Sequence, residues 1–257
     1  MMLIDTHCHF DFPPFIDALV QSIEQYQQAG VAKIIVPAVS SDRFAIVESL
    51  AHQYPSIYYA LGLHPIYSHH QTDLDLLAAA IDKSHAKLVA VGEIGLDGYI
   101  EHADLDVQKL FLASQFDLAK QYHLPVILHS RKTHALLYTA LKMAQLPSLG
   151  VIHGFSGSYE QAMQFIRLGF AIGVGGVISY QRANKTRDAI SRIPLSSIVL
   201  ETDAPDMPLY GQQGQANRPE NSVLVLAHLA CLRSEPLSVI TETILENSLY
   251  FFPRLAR

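Results

Sequence analysis

His7 and His9, in the run 3-LIDTHCH-9, are separated by a single residue. In an extended strand residues i and i+2 leave the same face, so the two imidazoles address one point in space. Two neutral imidazole nitrogens placed this way can begin the shell of a divalent ion. Cys8 between them faces the opposite way, toward the layer packed behind the strand, and reads as a packing residue. A single buried histidine is more often a hydrogen-bonded core residue than a ligand, so the pair calls for further donors.

Those donors recur at one kind of position. His64 ends 57-IYYALGLH-64, Glu93 lies near the end of 88-LVAVGEIG-95, and His129 near the end of 125-PVILHS-130. His153 lies near the end of 149-LGVIHG-154, and Asp203 closes 197-SIVLETD-203. Each falls at the C-terminal end of an apolar run that reads as a strand. Any one of them alone reads as a cap or loop residue. Polar groups converging at buried strand ends are costly without partners, and metal coordination offsets that cost. Four neutral histidines (His7, His9, His129, His153) with Glu93 and Asp203 would leave two divalent ions a residual charge of about +2, which attracts an anionic substrate. Mixed imidazole and carboxylate donors suit Zn, Mn, Fe or Co and accept Mg less well.

The elements that must position these residues follow a simple rhythm. Together with 33-KIIVPAV-39 and 170-FAIGVG-175, the runs number eight, and amphipathic stretches of helical period separate them. Helices are expected over 16–30, 42–53, 73–84, 104–123, 134–145, 158–168, 184–193, 219–232 and 237–250. The first starts after Pro13-Pro14 and stops at Gly30, as capping chemistry requires. Eight strand–helix units in 257 residues predict an α/β fold, a (β/α)8 TIM barrel forming a single domain over residues 1–257. An open doubly wound sheet shares the alternation, but the number of units and the length favour the barrel. Residues 204–218 read as a long loop after the last strand.

Bulk properties narrow the partners. The formal charge is −6, which excludes a broad basic surface for polyphosphate, so any hold on nucleic acid must come from metal ions or a few local cations. Two cysteines, Cys8 and Cys231, make no disulfide framework. No signal-like start and no apolar run long enough for a membrane span is present, so a cytoplasmic protein without membrane attachment or an obligate protein partner is expected.

Taken in order, 4-IDTHCHFD-11, 61-LGLHP-65, 91-VGEIGLD-97, 125-PVILHSR-131, 151-VIHGFSGS-158, 200-LETDAPDMPL-209 and 218-RPEN-221 resemble the TatD family of metal-dependent deoxyribonucleases, within the amidohydrolase-type barrels. The resemblance spans nearly the whole chain. It implies that His7, His9 and Asp203 hold one metal, that His129 and His153 hold a second, and that Glu93 bridges them. It implies that His64 sits beside the metals and faces the substrate. It also implies cleavage of phosphodiesters in DNA near an end. The chain departs from the commonest family form at Gly98, where an aromatic or polar residue often follows the Asp; this bears on substrate contacts near 97-DGY-99.

Around this set, Arg131 is placed to bind a phosphate as a forked donor, or to pair with a nearby carboxylate. Asp97 and Glu201 are placed to orient ligands. Phe155–Ser158 form a turn that either faces a phosphate or starts a helix, and Arg182, Lys185 and Arg187 read as a solvated helix face. The expected reaction is two-metal hydrolysis of single-stranded DNA, with Asp203 accepting the proton of the attacking water and His64 and Glu93 completing the catalytic group. The alternative is a hydrolase of the same fold acting on a small phosphoester, lactone or amide.

Overall fold

The computed structural model describes residues 2–256. Eight strands form one parallel sheet in chain order: β1 (Leu3–Asp5), β2 (Val31–Pro37), β3 (Ile57–Leu61), β4 (Leu88–Asp97), β5 (Val126–Arg131), β6 (Gly150–Ile152), β7 (Ala171–Val174) and β8 (Ile198–Leu200). The first and last meet where Thr6 donates from its amide (3.0 Å) and its hydroxyl (2.9 Å) to the carbonyl of Leu200, which rounds the sheet into a barrel. The expected (β/α)8 architecture is therefore observed.

Each strand is followed by a helix: α1 (Leu19–Gln28), α2 (Phe44–Gln53), α3 (Gln71–Asp82), α4 (Leu105–Gln121), α5 (His134–Ala144), α6 (Tyr159–Arg167), α7 (Asn184–Arg192) and α8 (Ser222–Leu232), with α9 (Leu237–Phe251) closing the chain. Local chemistry sets their ends. Asp104 Oδ1 accepts the amides of Asp106 and Val107 at the start of α4. Ser158 and Gln161 exchange hydrogen bonds at the start of α6, so the Phe155–Ser158 turn is a helix start. Gly30, in a left-handed conformation (φ 98°), ends α1.

Two apolar layers follow from strand alternation. Ile4, Ile35, Tyr58, Ala60, Val89, Ile127, Val151 and Val199 fill the barrel, and Phe251, Phe252 and Leu255 join them from the C-terminal segment. The other face of the strands packs against the helices, and Cys8 belongs to that layer, fully buried, as the strand register predicts. A filled barrel cannot act as a pore, so the only floor on which chemistry can be laid is the rim at the strand ends.

β1, β3, β6, β7 and β8 are shorter than their apolar runs, whereas β4 is longer. His7, His9, His64, His153 and Asp203 lie just past strand ends rather than on them. Alternation nevertheless persists, because backbone pairing continues: Cys8 donates to Ile35 O (3.1 Å), Asp203 to His7 O (2.9 Å) and His9 to Ala204 O (2.7 Å). Arg187 also departs from expectation. It is half-buried and donates to the carbonyl of Ile178, tying α7 to the 3-10 turn Gly176–Ser179, while Arg182 and Lys185 are exposed. Among the described residues no helix is long and apolar enough to cross a membrane.

Candidate metal centre

Glu93, on β4 and almost fully buried, stands at the centre of the rim with its two carboxylate oxygens turned to different neighbours. Oε2 lies 3.2 Å from His7 Nε2 and 3.5 Å from His9 Nε2. Oε1 lies 2.6 Å from His153 Nε2, 3.0 Å from His64 Nε2 and 3.2 Å from His129 Nδ1. Asp203 Oδ1 closes the first group, 3.4 Å from His7 Nε2 and 3.5 Å from His9 Nε2. All six residues expected at a metal site, and His64 with them, converge here.

The spacing of the first group can be tested against an ion. A tetrahedral Zn-like centre with bonds of about 2.1 Å separates its ligand atoms by about 3.4 Å. His7 Nε2 and His9 Nε2 lie 3.3 Å from each other and 3.2 to 3.5 Å from Glu93 Oε2 and Asp203 Oδ1. These donors fit a divalent ion. The second group, Glu93 Oε1, His129 Nδ1 and His153 Nε2, is as tight, with the two ring nitrogens 3.3 Å apart.

Outer partners decide which ring nitrogen is available. His129 Nε2 is 2.9 Å from Asp97 Oδ2, so the proton resides on Nε2 and the Nδ1 lone pair faces Glu93 and His153. His64 has the opposite arrangement. The amide of Ile66 donates to its Nδ1 (3.1 Å), so the neutral ring carries its proton on Nε2, aimed at Glu93 Oε1. A ring nitrogen that bears a proton is a donor and not a ligand, so although His64 Nε2 lies within the reach of a metal group with Glu93 and His129, this tautomer sets it apart from His129, whose lone pair faces inward. Glu201 is buried below His153, 3.9 Å from its Nδ1, and accepts from the amide of Gly154. Gly173 leaves the space that this carboxylate occupies.

The electrostatics are those of a centre that gathers positive charge. Burial pushes His7 down to about 4, helped by the charge of His153. For His9 burial also opposes protonation, but the hydrogen bond that the ring donates to Asp203 and the charges of Glu93 and Asp203 outweigh it and lift the ring to about 9. His153 is lifted to about 10 in the same way, against burial, chiefly by Glu93. Glu93 is held well below the usual carboxylate range, its burial overcome by His153, His64 and His7. Without metal the crowded carboxylates recruit protons, and a divalent ion supplies the same charge in their place.

Several positioning residues escaped the sequence reading. Asp5, fully buried, accepts from His7 N (3.2 Å), Thr202 N (3.0 Å) and Thr202 Oγ1 (2.6 Å), clamping the ends of β1 and β8 where His7 and Asp203 emerge. From α4, Gln115 bonds both backbone groups of Leu63 and Gln108 both those of Asp97. Asn217 pins the 204–218 loop through Thr202 O (2.8 Å) and Met207 O (3.1 Å). A charged residue inside an apolar run was the visible signal for Asp5; the glutamines and Asn217 sit far from their partners in sequence and carried none.

Above the cluster opens a cavity of about 890 Å³, lined by His9, His64, Glu93, His129, His153 and Asp203 at its floor and by Arg131, Lys132, Tyr67, Asp206 and Met207 among its walls. Among the described residues Arg131 forms no ion pair at contact distance, although its charge helps to lower the pKa of Asp97; its guanidinium lies over the ring of Tyr99, 3.7 Å from the centroid.

A family model described as TatD related DNase matches residues 4–253. YjjV of Escherichia coli K12, described as an uncharacterized metal-dependent hydrolase, is 53% identical over 251 residues, covering 97% of each chain. Its crystal structure, described as that of a TatD homolog, superposes with a TM-score of 0.96 at 52% identity, covering 98% of both chains. Human deoxyribonuclease TATDN3 is 29% identical over 267 residues, covering 98% of this chain and 95% of that one.

Proposed function

The chain belongs to the family of TatD-related DNases and is a metal-dependent hydrolase acting on ester bonds, and we propose that it cuts DNA phosphodiesters at a two-metal centre, trimming single strands from an end. The observation that carries this reading is the division of Glu93: one oxygen belongs to the His7–His9–Asp203 group and the other to the His129–His153 group. In this reading His7, His9 and Asp203 hold one ion, His129 and His153 hold the other, and Glu93 joins them in a single-domain enzyme. Zn, Mn, Fe, Co or Mg are the candidate ions, with the imidazole-rich set favouring the first four. Bound there, the ions lower the pKa of water and neutralise charge on the phosphate.

The residues of the chain divide the remaining work. Asp203 lines the cavity floor beside His7 and His9, where its carboxylate can take the proton of the attacking water. His64, whose tautomer Ile66 fixes, can turn its Nε2–H from Glu93 Oε1 to a phosphoryl oxygen or to the departing oxygen when substrate enters. Arg131 brings a forked cation to the cavity wall for a phosphate of the substrate. A rim opening of this size accepts a flexible single strand more readily than a stiff duplex, and among the described residues no long basic track lines it to hold one. DNA is then a substrate and not a standing partner, and a cytoplasmic setting without membrane attachment suits the reading.

A second reading has one specific support. The cavity volume falls within the range of small-molecule sites, about 300–1,000 Å³, which also suits a small phosphoester, lactone or amide. A metal-reconstituted screen across single-stranded DNA, duplex DNA, RNA and small phosphate esters separates the two. The nuclease reading requires single-stranded DNA to be the fastest substrate and is overturned if only the small esters turn over.

A further inference from the structure

Tyr99 is 55% exposed, next to Arg131 and Lys132, which line the cavity above the cluster. Two cations cover its ring: Arg131 Cζ at 3.7 Å and Lys132 Nζ at 4.4 Å from the centroid. Lys132 has a left-handed backbone (φ 59°), uncommon for a residue with a Cβ, so that its side chain and that of its neighbour converge on one ring. Among the described residues neither cation has an ion-pair partner. The face of the ring attracts each of them, but two adjacent positive charges repel, and an anion placed between them relieves that repulsion.

This trio is held in register with the metal centre. Asp97 Oδ2 takes His129 Nε2 (2.9 Å) while its Oδ1 takes the amide of Tyr99 (2.7 Å). Gly98 N donates to Arg131 O (2.8 Å), locking the two loops together. One carboxylate thus fixes both a ring of the cluster and the base of the aromatic platform. Across the mouth the charge reverses. In a ring of eight strands the loop after β8 stands opposite the loop after β4, and there the cavity wall carries the exposed Asp206.

Resting on the nuclease reading above, we propose that Tyr99, Arg131 and Lys132 form one grip for a second phosphate of the substrate, the one next to the phosphodiester being cut. Tyr99 is the positioning residue; Arg131 and Lys132 are the cations that meet the phosphate. The Asp206 wall repels a phosphate, so the strand leaves the centre over Tyr99.

The test compares a dinucleotide, which has one phosphodiester, with a trinucleotide, which has two, in the metal-loaded enzyme. The wild type is expected to show a KM for the trinucleotide about tenfold lower, the size of one charge-assisted contact. Tyr99→Leu and Lys132→Gln are expected to reduce that difference to about twofold or less, acting through KM rather than kcat, while Tyr99→Phe retains it. Binding gives a second readout: with chelator present, fluorescence anisotropy of a labelled oligonucleotide should show the log–log salt slope of Lys132→Gln reduced by about 0.7. Equal KM values for the two substrates in the wild type, or an undiminished difference in Tyr99→Leu and Lys132→Gln, would overturn the grip while leaving the nuclease reading intact. If the wild type cuts small esters but no nucleic acid, the nuclease reading fails and the grip falls with it.

Discussion

Asp97 Oδ2 accepts a hydrogen bond from His129 Nε2 at 2.9 Å, and this single contact makes Nδ1, not Nε2, the nitrogen that faces Glu93. Removing the carboxylate's charge leaves the ring free to turn or to change tautomer. Asp97→Asn is expected to weaken metal binding by about 10–100-fold, the usual cost of losing such an outer partner. Competition with a fluorescent chelator measures it, and an unchanged metal affinity would show that His129 needs no such support.

His7 and His9, with their Nε2 atoms 3.3 Å apart, form a closely spaced donor group with Glu93. The double variant His7→Ala/His9→Ala should lose bound metal and most activity while retaining the far-ultraviolet spectrum of the barrel, because the filled interior below the rim carries folding. Chelation of the wild type should lower Tm, since ions that bind only the native state stabilise it. Normal metal stoichiometry in the double variant would remove this pair from the site.

Cys8 points into the layer between strands and helices, away from its two histidine neighbours. Cys8→Ser should therefore bind metal as the wild type does and lose stability, because a hydroxyl costs more to desolvate than a thiol in this buried layer. Denaturant unfolding reads the stability, and elemental analysis reads the metal. A folded Cys8→Ser chain devoid of metal would put the thiol in the site.

Asp5 is a clamp rather than a ligand in this account, joined to Thr202 by its side chain and amide and to the amide of His7. Asp5→Ala strands those donors in a buried seam, at a cost of about 1–3 kcal/mol for each unsatisfied group. Both Tm and metal affinity should fall together, because the clamp sets the distance between His7 and Asp203. If Asp5→Ala lowers Tm yet binds metal with wild-type affinity, the seam and the site are independent.

The parts of this molecule that were legible in the sequence share a physical origin. Apolar runs and capping residues such as Asp104 and Ser158 report local energetics, so the barrel and its helices could be read directly. The metal-type residues were legible because they recur at one position of each unit. What escaped depends on side chains meeting across the fold. Nothing in the sequence tells that Gln115 will bond Leu63, that Ile66 will fix the tautomer of His64, or that Arg131 will lie on Tyr99 instead of pairing with an acid. Strand ends were overestimated for a related reason: the chain at His7–His9 and Asp203–Ala204 stays extended and paired, but as an isolated bridge and not a continuous ladder.

The central claim is that Glu93 holds two ions at one centre that cuts DNA. Its most direct test is to reconstitute wild-type and Glu93→Gln chains with Mn, Zn or Mg, count bound ions, and follow an end-labelled single-stranded oligonucleotide. The account predicts two ions per wild-type chain, stepwise shortening from an end that chelator abolishes, and a Glu93→Gln chain that still binds the oligonucleotide but shortens it at least about 100-fold more slowly, as expected for loss of a group that stabilises the transition state. A Glu93→Gln chain that degrades the oligonucleotide at the wild-type rate would contradict it.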